Sequence, residues 1–224
     1  MKMKKYIYSL LVVLLTGVVC LQSSCDDHEA IDTNIHVGDI VFADHTTMRY
    51  EQFVIDSFAQ MSRTPVGVVF AEQTSKHPAL AVMLDEPDES QCVFTDSLGF
   101  SLGTSTSVDS CAGKNNTAAM YATQLSPLAD LMFRYQLGGM SAYVPAVAEM
   151  RLLITSLPVV NPIIKDLGGT MVELSGDGWY WTSTETEGNA NYQAYVYSAN
   201  GNTYQPAPKD EQHRCRAIFE INGF

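Results

Sequence analysis

Basic charge is scarce in this chain: 13 Lys and Arg stand against 25 Asp and Glu among 224 residues, a formal net charge of −12. So acidic a surface repels phosphate and has no basic stripe, which argues against nucleic acid as a partner and reads instead as solubility. Catalytic and metal signatures are also missing. No HExxH or GxSxG occurs, the five histidines (His28, His36, His45, His77, His213) are scattered, and no Cys/His spacing suggests zinc. No cofactor or metal is expected, and no Ser/His/Asp set follows from spacing. Internal repeats and low-complexity tracts are absent too. Nearly half the residues are apolar, enough for one good core in one domain.

Apolar runs are short. The longest opens the chain, Tyr6 to Val19 behind Lys2, Lys4 and Lys5, and falls below the roughly 20 residues that a spanning helix needs. Residues 1–24 therefore read as a lipoprotein signal peptide. Leu21, Gln22, Ser23 and Ser24 lead into Cys25, and small residues before a cysteine suit lipid attachment there; Cys20, behind two valines, suits it less well. Residues 25–36 read as an acidic flexible tether and residues 37–224 as one domain. Asp26, Asp27 and Glu29 resemble the signal by which some Gram-negative bacteria display lipoproteins on the outer face of the outer membrane, although a solvated tether would have the same composition. Lipid would hold the chain on the membrane through its buried methylenes.

Cysteines are equally few. Beyond the leader stand Cys92, Cys111 and Cys215. Cys92 and Cys111 could close a modest loop in an oxidising envelope, while Cys215 reads as a buried thiol in an apolar strand.

The pattern predicts a strand over 37–43, an amphipathic helix from Tyr50 to Met61, and a hairpin of strands 66–71 and 79–84. An acidic, Ser/Thr/Gly-rich excursion runs from Asp85 to Lys114 and is one candidate functional surface. Helical spacing returns over 117–135, broken at Pro127, with Asn116 or Ser126 as N-cap. A clear helix starts near Pro145 and is expected to end at Pro158, with a further turn over 162–167. Strands follow over 180–184 and 193–198, then an Asn200-Gly201 turn of type I′, and a last strand over 215–221.

Two segments together are distinctive: 142–169 (AYVPAVAEMRLLITSLPVVNPIIKDLGG) and WYWTSTE at 179–185, followed by Lys209 and RCRAI at 214–218. They resemble the bacterial C-type-lectin-like surface lipoproteins with Lcl-type C-terminal or FISUMP-like domains, matching at Pro145, Glu149, Met150, Tyr180 to Thr184 and Arg214 to Ala217; Ala146 replaces the family's serine at the helix cap. The resemblance implies an α+β C-type-lectin-like fold: short helices, small antiparallel sheets and long loops, in surface proteins that bind or adhere. Fold alone fixes no ligand.

Calcium-dependent sugar sites of the animal type use Glu-Pro-Asn and Trp-Asn-Asp motifs, which this chain lacks; Asp85, Glu86, Asp88 and Glu89 offer oxygens without dedicated spacing. In the run Trp179, Tyr180, Trp181 the side chains alternate faces, and Trp181 is expected in the core. Asn189, Asn191, Tyr192, Tyr195, Asn200, Asn202 and Tyr204 form the candidate ligand surface, since Tyr supplies rigid amphipathic area and Asn adaptable hydrogen bonds; the alternative is an ordinary hairpin whose tyrosines cover the core and whose asparagines make turns. The expected function is that of a non-catalytic lectin-like domain binding an extracellular glycan, mucin or matrix protein. The alternatives are a subunit of an envelope or fimbrial assembly and, with Cys215 its only nucleophile candidate, a formylglycine-generating-like oxidase.

Overall fold

A computed structural model describes residues 32, 34–137, 139–174 and 178–221. Cys20, Cys25 and the acidic cluster Asp26 to Glu29 lie outside the described residues. The chain divides into two compact units, Met1–Asn34 and Ile35–Phe224, and the second carries all the elements below.

The architecture is α+β. Strands β1 (Ile40–Phe42) and β2 (Thr47–Met48) precede two short helices, α1 (Tyr50–Ile55) and α2 (Ser57–Ser62). One helix was expected over this stretch. Asp56 divides it by leaving helical geometry, and its carboxylate accepts from the amides of Phe58 and Ala59 to start α2. The hairpin of β3 (Pro65–Ala71) and β4 (Ala79–Met83) forms as expected and is antiparallel. Helices α3 (Gly113–Thr123) and α4 (Pro127–Arg134) follow the long excursion, and the Ser126 hydroxyl caps α4 by accepting from Ala129 N–H. Asn116, the other cap candidate, is buried inside α3. Then come β5 (Gln136–Leu137), β6 (Met140–Ser141), α5 (Val147–Asp166), β7 (Trp179–Glu185), β8 (Gln193–Ser198), β9 (Thr203–Pro208) and β10 (Ile218–Ile221).

A five-stranded antiparallel sheet runs β10-β4-β3-β1-β2, and a three-stranded one β7-β8-β9. The first and last strands of the larger sheet do not meet, because the β3–β4 hairpin lies between them. Both faces of this sheet are buried. Leu80, Val82 and Ile218 point into one apolar cluster with Leu153, Leu157 and Val160 of α5; Ala79, Ala81, Met83 and Phe219 point into another with Met120, Leu128, Phe94 and Trp181. Two-sided burial explains why VGVVFA and ALAVML are continuously apolar rather than alternating. At Gly67 a Cβ would lie 2.6 Å from Val82 O and 2.8 Å from the Phe219 ring, so the close approach of that ring from β10 across β4 requires glycine in β3.

Helix α5 overturns the expectation that Pro158 is a stop: Pro158 and Pro162 both lie within it. Each removes one ladder bond, at a cost of about 3 kcal/mol. Offsetting this, Leu157, Val160, Ile163 and Ile164 stay buried past the first proline, and buried Asn161 clamps the returning chain, its Nδ2 donating to Val172 O (3.0 Å) and its Oδ1 accepting from Val172 N–H (2.9 Å). At the other end Ala146 has no capping oxygen. Thr184 of β7 replaces it, accepting from Val147 N–H (3.2 Å), and Glu149 Oε2 accepts from Ala146 N–H (2.7 Å).

Glu149 is 2% exposed, and burial pushes its carboxyl up to about 7. Its proton therefore binds the folded chain more tightly than the unfolded one, so this group's contribution to stability falls as pH rises from about 4.5 to about 7, by about 3 kcal/mol in all. Urea midpoints measured across that window should decline in the wild type, and the decline should flatten in Glu149→Gln.

Candidate functional site

The WYWTSTE strand is tied residue by residue to the loop after β4, to β8 and to the start of α5. Trp181 is fully buried, its Nε1 donating to Cys92 O (3.1 Å), with the Phe94 ring at 5.3 Å and the His213 ring edge-on at 4.9 Å. Tyr180, also buried, donates its hydroxyl to Glu86 (3.0 Å). Thr182 donates to Tyr195 O (2.7 Å), and Ser183 N–H donates to Pro145 O (2.8 Å). Neither Tyr180 nor Trp181 is free to stack on a sugar.

Glu185, at the end of this strand, meets Lys209 with both side chains 0% exposed and Nζ 2.7 Å from Oε1. The ammonium spends its other two donors on Phe100 O (2.7 Å) and Ala190 O (2.8 Å). The carboxylate also accepts from Leu102 N–H (2.8 Å), Ser101 Oγ (2.7 Å) and Thr104 Oγ1 (3.2 Å). Every donor of the lysine is thereby used, as a buried charge requires. The pair pins residues 100–104, within the long excursion, against the β8–β9 hairpin. The following loop, Thr106 to Asp109, then faces that hairpin across a cleft of about 410 Å³, whose far wall holds Tyr195, Tyr204 and Glu187.

Register explains why these tyrosines share a face. Tyr197 is opposite Tyr204 and Tyr195 opposite Pro206, while Ala194, Val196 and Ala207 alternate into the core. The Tyr195 and Tyr204 rings meet edge to face at 5.2 Å. Lys209 N–H bonds Tyr192 O, which sets the ladder phase so that residues 204, 206 and 208 turn their backbone outward; two of these are prolines without an N–H, which protects β9 from pairing as an open edge. Asp109, on the loop wall, pairs with Arg151 of α5 (3.3 Å).

Of the residues expected at the ligand surface, Tyr195 and Tyr204 line the cleft. Asn189, Asn191 and Asn202 serve turns. Asn189 Nδ2 donates to Gln193 Oε1 (2.8 Å), Asn191 O accepts from Gly99 N–H (2.9 Å), and Asn202 Oδ1 accepts from the Tyr197 hydroxyl (2.8 Å). Tyr192 and Asn200 are exposed outside the cleft lining. The turn is not type I′. Ser198 pairs with Thr203, leaving a four-residue loop in which only Asn202 takes positive φ, at 44°. The loop residues Thr106, Ser107 and Asp109, together with Glu187, were not singled out by sequence; the only signal was the polar excursion that contains most of them.

The proposed Cys92–Cys111 bridge is also overturned: Cys92, Cys111 and Cys215 are all free thiols. Cys92 is buried in the core cluster that also holds Cys215, its thiol pushed up to about 12, chiefly by burial. Cys111 instead neighbours Tyr143 and Glu149. Burial also raises the Cys215 thiol well above its ordinary value, so it is neither reachable nor ionised as a nucleophile would be. Glu86, offered above as a calcium oxygen, is held by Arg214 Nε (2.9 Å) and Nη2 (2.6 Å) and by Arg216 Nη1 (3.3 Å). Asp88 caps a 3-10 turn at Glu89–Gln91. Among the described residues no three His, Cys, Asp or Glu side chains stand together as a metal site.

Comparison with known proteins finds no matching family model, no similar curated protein and no similar solved structure.

Removing one member of the Glu185–Lys209 pair strands the other in a dry interior, which costs about 3–5 kcal/mol. Lys209→Met should lower the urea-extrapolated stability by that amount, whereas Lys209→Met with Glu185→Leu should cost less than Lys209→Met alone. Equal losses in the single and double variants would contradict the buried-charge account.

Proposed function

We propose that this chain is a lipid-anchored surface protein of the bacterial outer membrane whose C-type-lectin-like domain binds an extracellular ligand without catalysis, and that the ligand seats in the Tyr195–Tyr204 cleft. The observation that carries this reading is the chemistry of the cleft walls. Two tyrosine rings, one half-buried and one exposed, offer flat apolar faces with hydroxyls at their tips. Opposite them, Thr106 and Ser107 offer small hydroxyls and Asp109 a carboxylate, with Glu187 adding a second. Rings that cover the apolar face of a pyranose, and carboxylates that accept from its hydroxyls, suit an uncharged saccharide. Asp109 is already met by Arg151, so it is Glu187 that disfavours sulfate and sialic acid, which points to neutral or amino-bearing glycans ahead of heavily sulfated mucins and matrix chains.

An assembly-subunit role draws support from a different surface. Ile55, Phe58 and Met61, on α1 and α2, are 85%, 74% and 81% exposed. Apolar residues clustered in this way mark protein contacts more often than scattered ones do.

A glycan and matrix array probed with the chain lacking its first 25 residues tests the main reading. Binding should concentrate on neutral glycans and fall about tenfold or more in Tyr195→Ala with Tyr204→Ala, at an order of 1 kcal/mol per ring. Binding left unchanged by that double variant would place the ligand elsewhere. Obligate co-purification with an envelope complex, lost when Phe58 and Met61 become serine, would favour the assembly role instead.

A further inference from the structure

A second cavity, of about 280 Å³, lies between α3, α4 and the segment from β6, away from the tyrosine cleft. Lys114, Ala118 and Tyr121 of α3 and Ala129, Met132 and Phe133 of α4 line it, each set at helical spacing and so on one face of its helix. The cavity exists because Ala118, Ala129 and Ala142 stand where longer side chains would fill it. Tyr121 and Phe133 stack at 4.4 Å and 16°, forming an aromatic wall, although Phe133 is 55% exposed. Its lining is almost wholly apolar. Lys114 and Ser141 also line an adjoining, more polar recess of about 350 Å³ whose walls include His45, Met140 and Glu220. There Lys114 Nζ is ion-paired with Glu220 Oε2.

An apolar chamber opening onto one ammonium and one carboxylate has a specific complement. We propose that this bipartite pocket binds a small zwitterion of the α-amino-acid type, with an aromatic or branched apolar side chain seated against Tyr121 and Phe133. The ligand's carboxylate meets Lys114 and its ammonium meets Glu220, so both protein charges keep an opposite partner when the ligand separates them. A plain fatty acid would leave Glu220 beside its own carboxylate, and a plain amine would leave Lys114 beside its own ammonium. Like charges so placed disfavour either. The chamber lies at the small end of ligand pockets, which limits the apolar group to about one ring.

Titration of the chain lacking its first 25 residues with L-phenylalanine and L-leucine, followed by NMR shift changes and calorimetry, tests the proposal. Phenylacetate and phenethylamine serve as single-charge probes. The expected result is saturable binding of the amino acids with shifts confined to α3, α4, β6 and the Glu220 end of β10, and single-charge probes weaker by about tenfold or more. Ala118→Phe, at an exposed position, should fill the chamber and abolish binding; Ala118→Leu serves if that variant does not fold. Lys114→Met and Glu220→Gln should each weaken amino-acid binding and reduce the preference over the probe of opposite deficiency. Tyr195→Ala with Tyr204→Ala should leave it intact. No saturable binding of either amino acid, or binding unaffected by filling at Ala118, overturns the site; phenylacetate or phenethylamine binding as tightly as phenylalanine overturns the zwitterion assignment.

Discussion

One buried ion pair organises the half of this protein that carries the Tyr195–Tyr204 cleft. Glu185 and Lys209 are both fully withdrawn from water, and each is tied into backbone that belongs to a different segment. Desolvating two charges costs several kcal/mol per ion, and their attraction repays this only when all remaining hydrogen-bonding capacity is met. Here the lysine's three donors and at least three further donors to the carboxylate meet that condition. The arrangement contributes specificity more than stability. A long, polar, sequence-irregular loop has few apolar residues with which to find its place, and a charged clamp selects a single one. The cleft walls follow from that placement.

A second charged cluster does related work at the opposite end of β7. Arg216 is buried to 0% and donates to Met83 O (2.7 Å) and Leu84 O (3.1 Å), while Arg214 grips Glu86. The Arg-Cys-Arg pattern thus fastens the acidic loop after β4 to the chain entering β10. Glu86, which looks like a solvated loop or metal oxygen in the sequence, is the partner of two arginines more than a hundred residues away.

Much of the fold was legible locally. The β3–β4 hairpin, the Ser126 cap, β8 and the burial of Trp181 follow from period, cap chemistry and alternation, each decided within a few residues. What was not legible depended on distant partners. Pro158 ought to end a helix, but burial of Val160 and Ile164 and the Asn161 clamp on Val172 carry the helix past it. Strand β9 was missed because Pro206 and Pro208 argue against a strand, and only an outward-facing edge tolerates them. In the candidate site, Tyr195 and Tyr204 could be found by composition, yet the opposing wall could not: Thr106, Ser107 and Asp109 resemble any other polar loop until Glu185 and Lys209 bring that loop across. The cysteine pairing failed for a similar reason. Proximity in sequence favoured Cys92 with Cys111, whereas packing placed Cys92 in the core with Cys215.

The Glu185–Lys209 clamp makes the 100–109 loop part of the folded core rather than a mobile flap. Native-state hydrogen exchange at the amides of Leu102 and Thr104, both donors to Glu185, measures this directly. The account predicts protection at these two amides comparable to that of the β8 ladder and lost only on global unfolding. Exchange as fast as that of an unstructured loop, with β8 still protected, would contradict it.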